Sequence, residues 1–116
     1  MLKLYDYFEN LINIQEKHYS PEYKLLFFAS DVMEALGIRN DHKSDEAIGR
    51  AIKVCISNNI SLKQNFQRVF RFNGEEIFVD WHISTLACYL IIINADPSNR
   101  RVANAQLYFA LKKNSW

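Results

Sequence analysis

The segment His82–Lys113, HISTLACYLIIINADPSNRRVANAQLYFALKK, carries the strongest structural signal in this chain. The run Leu86–Ile93 is apolar nearly all round, a pattern typical of a membrane span or of a helix at the centre of a core. A span needs about 20 residues, so this shorter run predicts a central core helix. Asp96 and Pro97 then favour the start of a second helix, as a cap and a first helical residue. Apolar and small residues over Val102–Ala110 recur at helical spacing and continue it.

Working outward, the pattern predicts further helices in the first half of the chain. Their predicted ranges are Leu2–Gln15, Ser30–Leu36 and Ser44–Ser57, with one more helical turn over Leu62–Phe66. Ser30 and Ser44 are the expected N-caps, and Gly37 is a good residue to end the second of these helices. The third has the clearest amphipathic pattern, with its apolar face predicted to be Ile48, Ala51, Ile52, Cys55 and Ile56.

Two β elements are expected between and before these helices. Leu25–Phe28 predicts a short strand. Asn73-Gly74 lies between β-rich runs and favours a hairpin with a two-residue type I′ turn, which would set Phe70 opposite Ile77 and Arg71 opposite Glu76. The predicted fold class is therefore α+β, with about five helices packed with a β-hairpin and a short strand, in a single domain spanning residues 1–116.

Composition places the chain among ordinary globular proteins. Of 116 residues, 49% are apolar and 23% charged, which is enough for one core. The first ten residues carry acids and lack the apolar run of a signal peptide. Two lone cysteines, Cys55 and Cys88, fall on apolar helical stripes, which favours a reducing cytoplasmic location. No membrane association is expected.

An enzyme is not indicated. His18, His42 and His82 are dispersed, and no His/Cys pair has the spacing of metal ligands. The chain has no Gly-rich phosphate loop, nucleophile elbow or H-E-x-x-H motif. We therefore expect no catalytic residues, no cofactor and no bound metal.

The charge distribution suggests a binding surface. Net charge is +1, but residues 1–46 carry 5 Lys and Arg against 9 Asp and Glu, whereas residues 47–116 carry 9 against 4. A basic half can contact a phosphate backbone, although solvated helix faces give the same composition. The candidate nucleic-acid contacts are Arg39, Asn40, Lys43, Arg50, Lys53, Arg68, Arg71, Arg100 and Arg101.

A winged helix–turn–helix is one version of this hypothesis. Ser30–Leu36 and Ser44–Ser57 would form the motif, and the hairpin would form the wing. The connector Gly37–Lys43 is longer than the usual three or four residues, which counts against a standard motif but not against DNA contact by a helix.

Several blocks of the chain resemble a known family. These are Ala87-Cys88-Tyr89-Leu90-Ile91, Asn94-Ala95-Asp96-Pro97, and Ala103-x-Ala105-Gln106-x-Tyr108-Phe109-Ala110, with upstream blocks at Leu26–Gly37, Ala47–Cys55 and Phe66–Val69. Together they resemble the N-terminal domain shared by DNA-damage-inducible protein D and the BRO proteins of viruses and phages, over roughly Leu25–Lys113. The damage-inducible relatives carry a second half after this domain, whereas the present sequence ends at Trp116.

The resemblance implies a regulatory role close to DNA, in transcription or in DNA damage and recombination. The expected partner is single- or double-stranded DNA or a DNA-bound protein, and a homodimer is compatible with this role. A second hypothesis is a protein-interaction module, an antirepressor or inhibitor of a host or phage DNA-processing protein. The 8 Phe, 6 Tyr and 2 Trp would supply its interface anchors.

Overall fold

The computed structural model describes residues 24–114, which form five helices and three strands. In chain order these are β1 (Leu25–Phe28), α1 (Ala29–Ala35), α2 (Asp41–Ser57), α3 (Leu62–Asn65), β2 (Phe66–Phe72), β3 (Ile77–Ser84), α4 (Thr85–Asn94) and α5 (Arg100–Asn114). This confirms the α+β class, the strand over Leu25–Phe28 and the extra turn before the hairpin. The helix predicted over Leu2–Gln15 lies outside the described residues.

The three strands form one antiparallel sheet in the order β1-β3-β2. β2 and β3 make a long hairpin, while β1 pairs only with the end of β3 farthest from the hairpin loop, where Phe28 lies opposite His82. The order of the elements in the chain explains why β1 pairs with this end of β3. After the hairpin loop, β3 runs back to the body of the domain and continues directly into α4.

The core surrounds α4, as its sequence predicts. Ala87, Cys88, Ile91 and Ile92 are fully buried, and α4 packs on α2, α5, β1 and β3. Ser84 begins the helix, because its hydroxyl accepts a hydrogen bond from the Ala87 N–H at 3.0 Å. The apolar character on all sides follows from this position, since α4 packs on α2 and the sheet together.

The hairpin loop differs from the prediction. Phe72 lies opposite Ile77, Phe70 opposite Val79 and Arg71 opposite Phe78, so the loop has four residues instead of two. Type I′ is wrong, because only Gly74 has a positive φ there, at 98°. The Asn73 side chain explains the longer loop, since its carbonyl oxygen accepts bonds from the N–H groups of residues 75 and 76, both at 2.9 Å.

The helix caps also differ from those expected. α1 begins at Ala29 and has no side-chain cap at its N-cap residue, so Ser30 is not the cap. α2 begins at Asp41, with Asn40 and not Ser44 as its cap. α5 begins at Arg100, four residues after Asp96. Ser, Asn and Asp residues all make good caps, so the pattern alone does not select among closely spaced candidates.

One apolar position of α2 faces water. Ala47, Ile48, Ala51 and Cys55 are buried, whereas Ile56 is 58% exposed. At about 100° per residue, Ile56 stands roughly 80° from Ile48, on the side away from Ala47. The buried face extends toward Ala47, so Ile56 falls outside it.

Candidate nucleic-acid interface

An open cleft lies where the loop between α1 and α2 meets the turn between α4 and α5. One side presents residues of the first loop, and the other presents Asp96 and the polar residues that follow it. The cleft is lined by Gly37, Ile38, Arg39, Asn40, Lys43, Asp96, Ser98 and Asn99. It therefore joins two segments about 60 residues apart in the chain, and three of the predicted contact residues line it.

The backbone at Gly37 shapes one wall of this cleft. Gly37 has φ +71°, and the N–H groups of Gly37 and Ile38 return to carbonyls of the last turn of α1 at 3.0 and 2.9 Å. This left-handed residue ends α1, as the sequence predicts. The Arg101 side chain packs across the same residue, with atoms 3.4 Å from where a Cβ would lie. Gly37 thus permits both the turn and the approach of Arg101.

The N-terminus of α2 forms the second wall. The Asn40 side-chain oxygen accepts hydrogen bonds from the N–H groups of His42 at 2.8 Å and Lys43 at 3.4 Å. Lys43 then reaches across the cleft to Asp96, with an Nζ–Oδ2 distance of 2.6 Å. The hydrogen bond raises the pKa of Lys43 and holds the pKa of Asp96 well below its usual range. The two side chains are 49% and 40% exposed, so the pair adds little to stability.

The N-terminus of α5 faces the same cleft. The Asn99 oxygen accepts bonds from the N–H groups of Arg101 at 2.9 Å and Val102 at 3.2 Å, while Asp96 accepts one from Ser98 at 2.9 Å. Two helix N-termini therefore point toward the cleft, each already capped by an asparagine. Their partial positive charge adds to that of the surrounding cations.

The remaining cations of α2 continue away from the cleft along one helix face. This face is opposite the buried one and carries three cations and one acid within about 80° of one another, which are Lys43, Arg50, Lys53 and Glu46. Arg50 is not simply directed outward, because it donates to the Asn94 carbonyl oxygen at 3.1 Å and to Glu46 at 3.3 Å. Lys53 is exposed and has no ion pair within residues 24–114.

The structure places the two hairpin arginines elsewhere. Arg68 lies over the ring of Trp81 at 4.5 Å. Arg71 contacts Asp80 at 3.0 Å, the Ser30 hydroxyl at 3.2 Å and Asp31 at 3.5 Å, and its guanidinium lies 3.9 Å from the Phe28 ring centroid. The expected pairing of Arg71 with Glu76 is therefore wrong, and Arg71 holds the hairpin to α1.

Asp80 is the buried partner of this clamp. Burial alone would raise its pKa, but hydrogen bonds from Ser30, Arg71 and the Trp81 N–H outweigh burial and lower it. The hydrogen bond to Asp80 correspondingly raises the pKa of Arg71. A guanidinium engaged in this way has little capacity left for a phosphate.

Of the nine predicted contacts, the structure brings Arg39, Asn40, Lys43 and Arg101 to the cleft, and Arg100 precedes Arg101 as the first residue of α5. Arg50 and Lys53 lie farther along α2, and Arg68 and Arg71 lie on the hairpin. Sequence reasoning missed five cleft residues, which are Gly37, Ile38, Asp96, Ser98 and Asn99. An asparagine directly before two arginines was a usable signal for Asn99, because asparagine is a preferred N-cap.

The described part of the chain contains no cluster of metal ligands and no exposed cysteine. No group of three or more His, Cys, Asp or Glu side chains within residues 24–114 could hold a metal ion. Cys55 and Cys88 are both buried, and burial raises the pKa of the Cys55 thiol, which disfavours the reactive thiolate. None of the described helices is long and apolar enough to cross a membrane.

Comparison with known proteins gives one match. Residues 16–112 match the family model described as BRO family, N-terminal domain. No curated protein and no solved structure matches the chain. The matched region contains the cleft, the hairpin and the core helix.

Proposed function

The chain belongs to the BRO family, and from this premise we propose that it is a non-enzymatic regulatory module that binds DNA through the cleft between α1–α2 and α4–α5. Its role would be of phage or mobile-element type, in transcription or in DNA damage and recombination. The resemblance to the N-terminal half of DNA-damage-inducible protein D supports the second of these settings. The protein would act in the cytoplasm without a cofactor.

The observation that carries this proposal is the availability of positive charge at the cleft. Three exposed arginines have no ion pair with any residue in 24–114. They are Arg39, Arg100 and Arg101. Unpaired guanidinium groups gathered near two helix N-termini suit an anion with several oxygens, such as a DNA phosphate. Lys43 adds a fourth cation whose present partner, Asp96, is itself accessible to water.

This arrangement would contribute to the affinity for DNA but would not recognise particular bases. Phosphate contacts release counterions and do not distinguish bases, so binding by the cleft alone would tolerate many sequences. The acidic side chains Glu46 and Asp96 limit the positive potential, which suits modest affinity. Arg50 and Lys53 would extend the contact along α2 for a longer duplex or strand.

The test is the salt dependence of binding. We expect Arg39→Ala with Arg100→Ala to weaken binding to a labelled random-sequence duplex, or to its single strand, and to reduce the slope of log affinity against log salt by roughly one unit per lost contact. Lys63→Ala is the matched control, because Lys63 is an exposed cation of α3 that does not line the cleft.

Unchanged affinity and slope in the double variant would reject the cleft as the binding site. An equal loss in Lys63→Ala would indicate attraction to the general charge of the protein. Arg39 and Arg100 are both exposed, so the melting temperature of the double variant should equal that of the wild type. A loss of binding at an unchanged melting temperature is then not a loss of folding.

A protein-interaction module is the second candidate, and one observation favours it. Phe70 and Phe72 on the hairpin are 78% and 68% exposed, which is unusual for aromatic residues without a partner. If this function is the main one, binding to a host or phage protein should be tight and nearly insensitive to salt, with no measurable binding to either form of DNA.

A further inference from the structure

One face of the hairpin changes character along its length. Near the body of the domain, Phe66 and Ile83 lie opposite each other and are buried. Toward the loop, the pairs on the same face are Phe70 with Val79 and Phe72 with Ile77. These four residues, which we call the hairpin patch, are exposed by 49–78%. The apolar surface of the core thus continues onto an arm that no described residue covers.

The patch is large for a surface feature of a small protein. Burying a phenylalanine removes about 150–250 Å² from water, so Phe70 and Phe72 together expose roughly 300 Å² of ring surface. Ile77 and Val79 add to this on the neighbouring strand. Contiguous patches of about 300–600 Å² are often binding sites.

The charges at the two ends of the patch have opposite signs. Arg68 flanks the end nearest the body, where it lies over Trp81. Glu75 and Glu76 flank the other end in the exposed loop. The four patch residues between them carry no charge. Two carboxylates beside the exposed rings disfavour a nucleic acid here, because phosphates would be repelled.

A surface with this order of charges is complementary to itself. If two copies meet face to face with their hairpins antiparallel, Arg68 of one copy lies near the loop glutamates of the other, and this contact occurs twice about a two-fold axis. The uncharged rings then meet in the middle. Two β faces can pack in this way at the usual sheet separation of about 10 Å.

We infer that the hairpin patch is the contact surface of a homodimer, in which the patches of two copies pack face to face with the hairpins antiparallel. The patch is small compared with the about 800 Å² per partner of a standard interface, so the dimer is weak and depends on concentration. The cleft lies at the loops between helices, so dimerisation leaves it open and would present two clefts to one DNA.

Sedimentation equilibrium of the full chain tests this directly. The average mass should rise from 13.7 kDa toward twice that value as concentration increases. Phe70→Ser with Phe72→Ser should raise the dimer dissociation constant about tenfold or more, because central aromatic anchors dominate such interfaces. The matched control is Leu107→Ser with Leu111→Ser on α5, two residues that are 58% and 60% exposed but distant in sequence.

Charge reversal tests the antiparallel arrangement. Arg68→Glu should weaken the dimer, and Glu75→Lys with Glu76→Lys should weaken it separately. Mixing these two variants should favour a heterodimer over either homodimer, because both contacts about the axis then join opposite charges, and combining all three changes in one chain should restore the affinity. Weakening without restoration would overturn the arrangement.

A wild-type chain that stays monomeric at high concentration would overturn the proposal. If its phenylalanines were also protected from solvent labelling, the patch would be covered within the same chain. A dimer insensitive to the Phe70 and Phe72 changes would place the contact elsewhere. These outcomes are independent of DNA binding by single copies, which is measured at low protein concentration.

Discussion

Asp80 shows how one buried carboxylate can join two parts of a chain. Its oxygens accept hydrogen bonds from the Ser30 N–H at 3.1 Å, the Ser30 hydroxyl at 2.5 Å, the Trp81 N–H at 2.8 Å and Arg71 at 3.0 Å. The first of these takes up an N–H in the first turn of α1, which lacks a side-chain cap of its own. The hairpin therefore completes the helix, and Arg71 neutralises the charge.

We expect Asp80→Ala to reduce the free energy of unfolding by about 2–4 kcal/mol at neutral pH, somewhat below the usual cost of breaking a fully buried pair because Arg71 keeps partial access to water. Urea denaturation measures it. Arg68→Ala, which removes an exposed hairpin arginine, serves as the control and should cost far less. Comparable losses in both would show that the network contributes nothing special.

Acid should remove the same contribution. The pKa of Asp80 is lower in the folded protein than in the unfolded chain, so the unfolded chain binds the proton more readily. The stabilisation is therefore present above the unfolded pKa of about 3.9 and is lost as pH falls through the folded value. Asp80→Asn should flatten the fall in stability below about pH 4. An unaltered acid profile in this variant would argue against the assignment.

Two glycines offer a matched comparison of backbone effects. Gly37→Ala should destabilise the protein by about 1–2 kcal/mol, because φ is +71° and Arg101 packs against the site. Gly49→Ala should stabilise it by up to about 1 kcal/mol, because Gly49 lies inside α2 with no atom near the added methyl group. Thermal melts of both variants test the pair, and a shared direction of change would contradict it.

At the scale of elements, α4 and the hairpin contribute in different ways. α4 is held by apolar contacts over most of its surface, and its cap is itself buried, since the Ser84 hydroxyl donates to the Asn65 oxygen at 2.6 Å. The hairpin relies on strand pairing and on local bonds within its loop. A change in α4 should therefore affect the whole domain, whereas a change in the loop should affect the arm.

Leu90→Ala should destabilise the domain by about 2–5 kcal/mol, the range for truncating a buried leucine. Leu90 is 7% exposed on the core helix. Leu107→Ala on α5 is the control, because 58% of that side chain already faces water. A melting temperature for Leu90→Ala within a degree of the wild type would mean that α4 is not the centre of the core.

In the hairpin loop, Asn73→Asp should be tolerated while Asn73→Ala should cost about 1 kcal/mol, because only aspartate keeps the oxygen that accepts from the two loop N–H groups. Amide exchange at residues 75 and 76 reports the effect locally. If exchange rates in the alanine variant match the wild type, the side chain does not hold the loop.

For the whole molecule, the central question is whether surface charge can be changed without loss of the fold. Arg50→Glu with Lys53→Glu reverses two charges on the outer face of α2, and we expect weaker DNA binding with a smaller salt slope. Arg50 also holds the Asn94 carbonyl at the end of α4, so part of the loss would be structural. Lys53→Glu alone separates the effects, because it should weaken binding while the melting temperature stays unchanged.

Residue pattern alone established the class of the fold, the core helix, the short strand and the break at Gly37. These depend on periodicity and on local backbone preferences, which act over a few residues. Four features could be read only from the folded chain. They are the register of the hairpin, the caps of α2 and α5, the exposure of Ile56 and the role of Arg71. Each depends on a partner distant in sequence or on competition between neighbouring groups. Arg71, for example, pairs with Asp80 and not with the predicted Glu76. The cleft and the hairpin patch belong to the same class, because surfaces exist only once packing has selected which side chains remain exposed.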